Sequence, residues 1–134
     1  MTIFEKIINR EIPAEIIYED DMCIATLDIN PAAKGHTLII PKIKSADCHV
    51  DHLWLIPDEY YDHMWQVSKK LAIHIKEKLN ADRIGVMVEG YGVPHAHIHL
   101  IPLDSPHNFE AYPGKDRSEE TSKIHETAEL LRMY

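Results

Sequence analysis

Val93-Pro94-His95-Ala96-His97-Ile98-His99-Leu100-Ile101-Pro102 places a histidine at every second position, with small and aliphatic residues between them. Side chains in an extended strand alternate between faces with a period of two. The spacing therefore predicts a strand over 93–101, with three imidazoles on one face and Ala96, Ile98 and Leu100 on the other. Same-face neighbours lie about 6.5–7 Å apart along a strand, which suits groups that contact different atoms of one phosphate. Imidazoles titrate near neutrality, so three aligned in a row point to chemistry rather than packing.

Outward from that run, Gly90-Tyr91-Gly92 reads as a tight turn and Arg83 to Glu89 as the strand before it. Asp58 is placed to cap a long helix over 58–79, in which Tyr61, Met64, Trp65, Ser68, Leu71, Ala72, Ile75 and Leu79 recur at helical spacing before Asn80 stops it. Near the start, Thr2-Ile3-Phe4-Glu5 matches a capping box for a short helix that Pro13 ends. Short strands follow at Ile16-Ile17-Tyr18, Cys23 to Ile29 and His36 to Ile40, punctuated by Asn30-Pro31 and Pro41. Residues 42–57 give no clear period. A Pro-containing loop from Leu103 to Arg117 leads to a last helix over 118–132, capped by Ser118 and carrying Ile124, Ala128 and Leu131 on its buried stripe. Runs of strands joined by short turns, with helices interspersed, indicate one α+β domain over 1–134 on a mainly antiparallel sheet with flanking helices.

Composition narrows the class. With 134 residues the chain is long enough to bury a core without disulfide or metal staples. A formal net charge of -8 leaves no electrostatic footprint for nucleic acid or an anionic membrane, although a local phosphate site remains open to an acidic protein. Cys23 and Cys48 form no CxxC pair and read as free thiols of a reducing compartment. No stretch is apolar and long enough to span a bilayer or serve as a signal sequence. The expectation is a cytoplasmic protein.

Three readings of the histidines compete. Isolated histidines usually have no special role, and that serves for His49, His52, His63, His74, His107 and His125. It fails for three on one strand face. Alternating histidines also present imidazoles to zinc or iron, but the sequence neighbours of the triplet are Val, Pro, Leu and Ile, and the nearest downstream acid is Asp104. The third reading is work on phosphorus. A neutral imidazole attacks a phosphoryl group to form a phosphoramidate, while its neighbour donates hydrogen bonds to oxygen.

His95-Ala96-His97-Ile98-His99-Leu100-Ile101 resembles the H-φ-H-φ-H-φ-φ signature of the histidine triad (HIT) family of nucleotide hydrolases and transferases. The segments Phe4 to Ala14, Tyr18 to Asp21, Leu27 to Pro31 and Gly35 to Lys42 resemble the family's earlier blocks in the same order, so the likeness spans about residues 3–102. The resemblance implies the HIT-like fold and a homodimer, for which the 58–79 helix is a contact surface. It implies that His97 is the nucleophile and that His99 contacts phosphate and leaving-group oxygens. His95 and His36 would hold the nucleophile's tautomer and ring plane. Asp28 would accept from ribose hydroxyls, and Ile3, Phe4, Ile7, Leu27 and Ile29 would wall the base. Taken one at a time, each of these apolar residues reads equally as core packing.

The chain also departs from that pattern. Many members carry an Asn-x-Gly and then a Gly-Gln-Ser/Thr turn before the triad. Here the loop is Val88-Glu89-Gly90-Tyr91-Gly92-Val93-Pro94, in which Gly92 and Val93 retain backbone N–H donors and Pro94 has none. Ile3 and Glu5 stand where relatives often carry a Cys-x-x-Cys zinc pair, and Lys44 where they often carry a histidine. No metal ligand and no cofactor are expected. The sequence points to hydrolysis or transfer of a nucleoside monophosphate, AMP by default. The alternative is a nucleotide-binding or regulatory protein with little turnover. A redox or metal-sensing role for Cys48, His49 and His52 is a weaker third reading.

Overall fold

The computed structural model describes residues 1–105 and 121–133. Five strands form one antiparallel sheet in the order β1-β2-β3-β5-β4: β1 Ile16–Glu19, β2 Cys23–Leu27, β3 Thr37–Pro41, β4 Arg83–Met87 and β5 Ile98–Leu103. Among the described residues three helices accompany it, α1 Ile3–Ile8, α2 Asp58–Leu79 and α3 Ile124–Leu131, with a short 3₁₀ turn at Leu53–Leu55. This is the α+β architecture the strand and helix periods predict.

The two sheet faces are covered differently. The period of two sends Ile39, Cys23, Ala25, Ile98 and Leu100 toward α2, where Met64, Val67, Leu71 and Ile75 meet them together with Ala128 and Leu131 of α3. Ile24, Leu38 and Ile40 point the other way, against Phe4 and Ile7 of α1. A 22-residue helix closes the first face, whereas a six-residue helix covers only part of the second. The remainder of that second face is where a cleft forms.

Several boundaries differ from the sequence expectation. Helix α2 spans 58–79 as predicted and stops at Asn80, which adopts the left-handed conformation (φ 52°) and sends its N–H back to Lys76 and Glu77. Asp58 is not its cap. Pro57 occupies that position without a side-chain bond, and Asp58 and Glu59 instead complement the dipole from the first turn. Strand β2 ends at Leu27 and β4 at Met87, each two residues short of the predicted end. In β2 the Asp28 N–H turns to the His36 carbonyl, which directs the chain into the connection to β3. The unreadable stretch 42–57 buries Val50, Leu53 and Ile56 around the 3₁₀ turn. The C-terminal helix is described from Ile124, and Ser118 and His107 lie outside the described residues.

The main correction concerns the histidine run itself. Strand β5 begins at Ile98, so only His99 of the triplet lies in regular strand. His95 and His97 sit in irregular backbone in which the His95 N–H bonds to the Val93 carbonyl and the Ala96 N–H to the Val50 carbonyl. Strand alternation therefore does not by itself gather the three imidazoles. Packing does.

Candidate active site

Phe4 holds the cluster together from α1. Its ring stands edge-on to His97 at 5.0 Å and to His95 at 5.8 Å, and the His97 and His99 rings lie 4.8 Å apart. His36, from the residue before β3, packs 5.1 Å from His99. All four imidazoles are buried.

The hydrogen-bond partners assign the ring protons. His36 Nδ1 accepts from the Ala32 N–H at 3.0 Å, so its proton is on Nε2. That Nε2–H lies 2.9 Å from His99 Nδ1, which must accept it, leaving the His99 proton on Nε2. On the other side of the cluster, His97 Nδ1–H donates to the His95 carbonyl at 2.7 Å. Its Nε2 is therefore the nitrogen that carries a lone pair. His95 Nε2–H donates to the Pro41 carbonyl at 3.1 Å, and its Nδ1 accepts from the Thr2 hydroxyl at 2.8 Å. Thr2 is the N-cap of α1 and also accepts from the Glu5 N–H, so a single hydroxyl ties the helix start to the histidine run.

These contacts refine the expected supporting roles. His36 holds the tautomer of His99, not of His97. His95 restrains His97 through its backbone carbonyl, while its own ring is committed to Thr2 and Pro41.

Burial keeps the imidazoles neutral. Desolvation pushes His99 down to about 3 and His36 down to about 4, with neighbouring imidazoles adding to the effect. His95 and His97 are also lowered by burial. Hydrogen bonds to the Pro41 and His95 carbonyls oppose that, as do the charges of Glu5 near His95 and Glu89 near His97.

His97 and His99 line a cleft of about 510 Å³ on the α1 face. Its walls include all eight residues expected to bind substrate: Ile3, Phe4, Ile7, Leu27, Asp28, Ile29, Gly92 and Val93. His95 and His36 stand behind this lining. Asp28 is raised, chiefly by burial and also by the Glu89 charge, while the Asn30 N–H bond at 2.8 Å opposes the shift. Ile12, Pro13, Ala14, Thr26, Asn30 and Leu38 complete the walls and were not singled out from sequence. Thr26 and Leu38 could have been, since they lie in strands that lead into the site.

Glu89 is the residue that sequence reasoning missed. One carboxylate oxygen accepts from the Tyr91 N–H at 2.8 Å, and the other lies 3.6 Å from His99 Nε2. Asp28 likewise lies 3.6 Å from His36 Nε2. The expectation that no carboxylate stands near the triad is thus corrected, because the fold brings in two from distant or turned segments. Glu89, His97 and His99 each offer a ligand atom within 4.8 Å of one another, as do Asp28, His36 and His99. Glu89 left one signal in the sequence, an acid in a loop that departs from the family pattern. By contrast, Cys48, His49 and His52 join no such group among the described residues: the Cys48 thiol turns to the Lys44 carbonyl, and His49 Nε2 accepts from the His52 N–H.

Comparisons with known proteins agree with this fold. A sequence model of the HIT domain family matches residues 9–106. An adenosine 5'-monophosphoramidase of Saccharomyces cerevisiae is 40% identical over 101 residues, covering 75% of this chain and 61% of the yeast protein. The crystal structure of a HIT-like protein from Bartonella henselae superposes with a TM-score of 0.78 at 34% identity, covering 98% of this chain and 94% of that one. A histidine triad nucleotide-binding protein from Sulfolobus tokodaii gives a TM-score of 0.73 at 27% identity, covering 96% and 90%.

Proposed function

The chain belongs to the histidine triad (HIT) family of nucleotide-binding proteins and hydrolases, and on that footing we propose that it hydrolyses or transfers a nucleoside monophosphate, AMP by default, through a nucleotidyl intermediate on His97. The observation that carries this reading is the bond from His97 Nδ1–H to the His95 carbonyl. It leaves the Nε2 lone pair of a neutral imidazole at the wall of the cleft.

In the first step His97 Nε2 attacks phosphorus and the bond to the amine, nucleotide or sugar-phosphate leaving group breaks. Positive charge develops on the imidazole as the N–P bond forms, and the Nδ1–H bond to the carbonyl shares it. His99 presents its Nε2–H as a donor to phosphate or leaving-group oxygen, held in that tautomer by His36. In the second step water attacks phosphorus, the N–P bond breaks and the monophosphate leaves. Asp28 receives the ribose hydroxyls, and the aliphatic residues of α1 and β2 flank the base. The two steps need neither metal nor cofactor. The homodimer is carried forward as a proposal, with the α2 surface around exposed Ile73 as a contact and sedimentation as its measurement.

A second reading, nucleotide binding with little turnover, draws on the loop before the triad. That loop lacks Gln and Ser, Pro94 has no N–H, and the Glu89 carboxylate lies 3.6 Å from His99 Nε2, the donor this reading would offer to phosphate. The test is to incubate the protein with an adenosine phosphoramidate and quench with base, which preserves a phosphoramidate linkage. The expected result is one nucleotidyl group on His97 and none on His97→Ala. An adduct that persists in the variant overturns the assignment. Binding without adduct or turnover favours the second reading.

A further inference from the structure

A second group of chemistry-bearing side chains lies away from the cleft, where the β1–β2 hairpin meets α2. Asp20, in the turn, accepts from the Met22 and Cys23 N–H groups through Oδ1. Its Oδ2 accepts from the Tyr18 hydroxyl at 2.6 Å and from His63 Nε2–H, on α2, also at 2.6 Å. The Cys23 sulfur lies 3.9 Å from the same oxygen. One ligand atom each from Asp20, Cys23 and His63 falls within a sphere of separations no larger than 4.8 Å.

We propose that Asp20, Cys23 and His63 form a site for one soft divalent cation of the zinc type, separate from the histidine triad. The one-dimensional sequence does not reveal it, because His63 is 40 positions from Cys23 and reads as an isolated histidine.

Two observations carry the inference. The first is the donor set: a thiol, an imidazole and a carboxylate suit zinc or cobalt and disfavour magnesium or calcium. The second is spacing. Zinc bound at 2.0–2.3 Å in tetrahedral geometry holds its donors about 3.3–3.7 Å apart. The His63–Asp20 and Cys23–Asp20 separations of 2.6 and 3.9 Å bracket that range and the Cys23–His63 separation is no more than 4.8 Å, so each pair lies within about 1.5 Å of it. His63 and Asp20 are partly exposed, whereas Cys23 is anchored in the core.

Cation binding exchanges protons for the metal. The Cys23 S–H bond breaks and its proton goes to solvent. His63 binds as the neutral imidazole, with its proton on Nδ1 and its Nε2 lone pair on the cation. One carboxylate, one thiolate and a divalent cation then sum to zero. The Tyr18 hydroxyl or a water completes four-coordination. Arg10 and Lys42, both paired with Glu19, and Lys70, seated over the Tyr18 ring at 5.0 Å, also face the hairpin. Each is already partnered and does not fill the site.

The test is titration of the whole chain with Co(II) in a Cys48→Ser background, which removes the second thiol. The expected result is a sulfur-to-cobalt charge-transfer absorption that saturates at one equivalent, releases protons and is displaced by Zn(II). Cys23→Ser should abolish the absorption and His63→Gln should weaken binding at least tenfold, while His97→Ala leaves it intact. No sulfur-to-cobalt absorption in the Cys48→Ser protein overturns the proposal. So does absorption that survives Cys23→Ser or is lost in His97→Ala. Should Cys23→Ser fail to fold, His63→Gln decides, since it alters a partly exposed helix position, and unchanged affinity there overturns the site.

Discussion

The cleft and the β1–β2 hairpin both bury histidine nitrogens in hydrogen bonds, but with partners of opposite character. In the cleft the close hydrogen-bond partners are carbonyls, a backbone N–H, a hydroxyl and another imidazole, all neutral, while the Asp28 and Glu89 carboxylates stand off at 3.6 Å. At the hairpin the partner of His63 is an ionised carboxylate. Neutral partners fix which nitrogen carries the proton without favouring a charged ring, so burial wins and the imidazoles stay basic and uncharged. A carboxylate partner supplies the negative charge that a cation site needs. On the proposals above, the same residue type serves as a nucleophile in one place and as a cation ligand in the other.

The largest effect that tests this contrast is at His97. His97→Ala should lower turnover of an adenosine phosphoramidate by at least about a thousandfold, as removal of a nucleophile does elsewhere. The folded stability should change little beside that loss. A residual rate within tenfold of the parent protein would place the nucleophile at another residue and remove the basis of the comparison.

The next test is pH. His36 and His99 take up protons only near 4 and 3, whereas an unfolded histidine does so near 6.5. Between these limits the unfolded chain binds more protons than the folded one, so stability falls as pH drops from about 6.5 toward 4. Above 6.5 these groups contribute no slope. At 1.36 kcal/mol per unit, the loss for His36 alone is on the order of 3 kcal/mol. Thermal melts at a series of pH values should show it, and a flat profile over that window would mean that the ring protons are not as assigned. The acid limb of turnover should likewise fall below an ordinary histidine's range, because burial lowers His97.

A smaller change is expected at Glu89, whose carboxylate lies 3.6 Å from His99 Nε2. Glu89→Gln removes like-charge repulsion and should tighten AMP binding severalfold, up to about tenfold, as measured by calorimetry. Weaker binding would show that Glu89 holds the loop through Tyr91 rather than opposing the ligand. The same loop leads to the expectation that AMP binds well while turnover lags about a hundredfold behind a relative with the full Gly-Gln-Ser turn. Equal turnover would show that Gly92 and Val93 supply the missing donors.

The smallest effect is at Thr2. Thr2→Ala removes the cap of α1 and the bond to His95 Nδ1, and should cost about 1–2 kcal/mol in denaturant melts. Thr2→Ser should restore most of it. No loss would show that Phe4 alone docks the helix.

Much of the site was legible in one dimension because its parts obey local rules. The capping box at Thr2, the period of two in β2 and β3, and the apolar spacing of α2 all report backbone geometry that neighbouring residues impose. The HIT resemblance added the order of the histidines and the pairing of Asp28 with an apolar wall. Chain order alone, however, misplaced the start of the last strand. The alternation of His95, His97 and His99 looks like strand throughout, yet Pro94 and the bonds to Val93 and Val50 leave the first two outside β5.

The sequence by itself determined the fold class, the helix over 58–79 and the identity of the histidines that meet, because periodicity and caps are properties of near neighbours. Only the tertiary structure decided which nitrogen of each ring holds a proton. That depends on Ala32, Pro41 and Thr2, which lie up to 93 positions from the imidazoles they fix. It alone also brought Glu89 to His99, and His63 to Asp20 and Cys23. Charge acts through space and not along the chain, so the partners that set a side chain's chemistry appear only once the chain is folded.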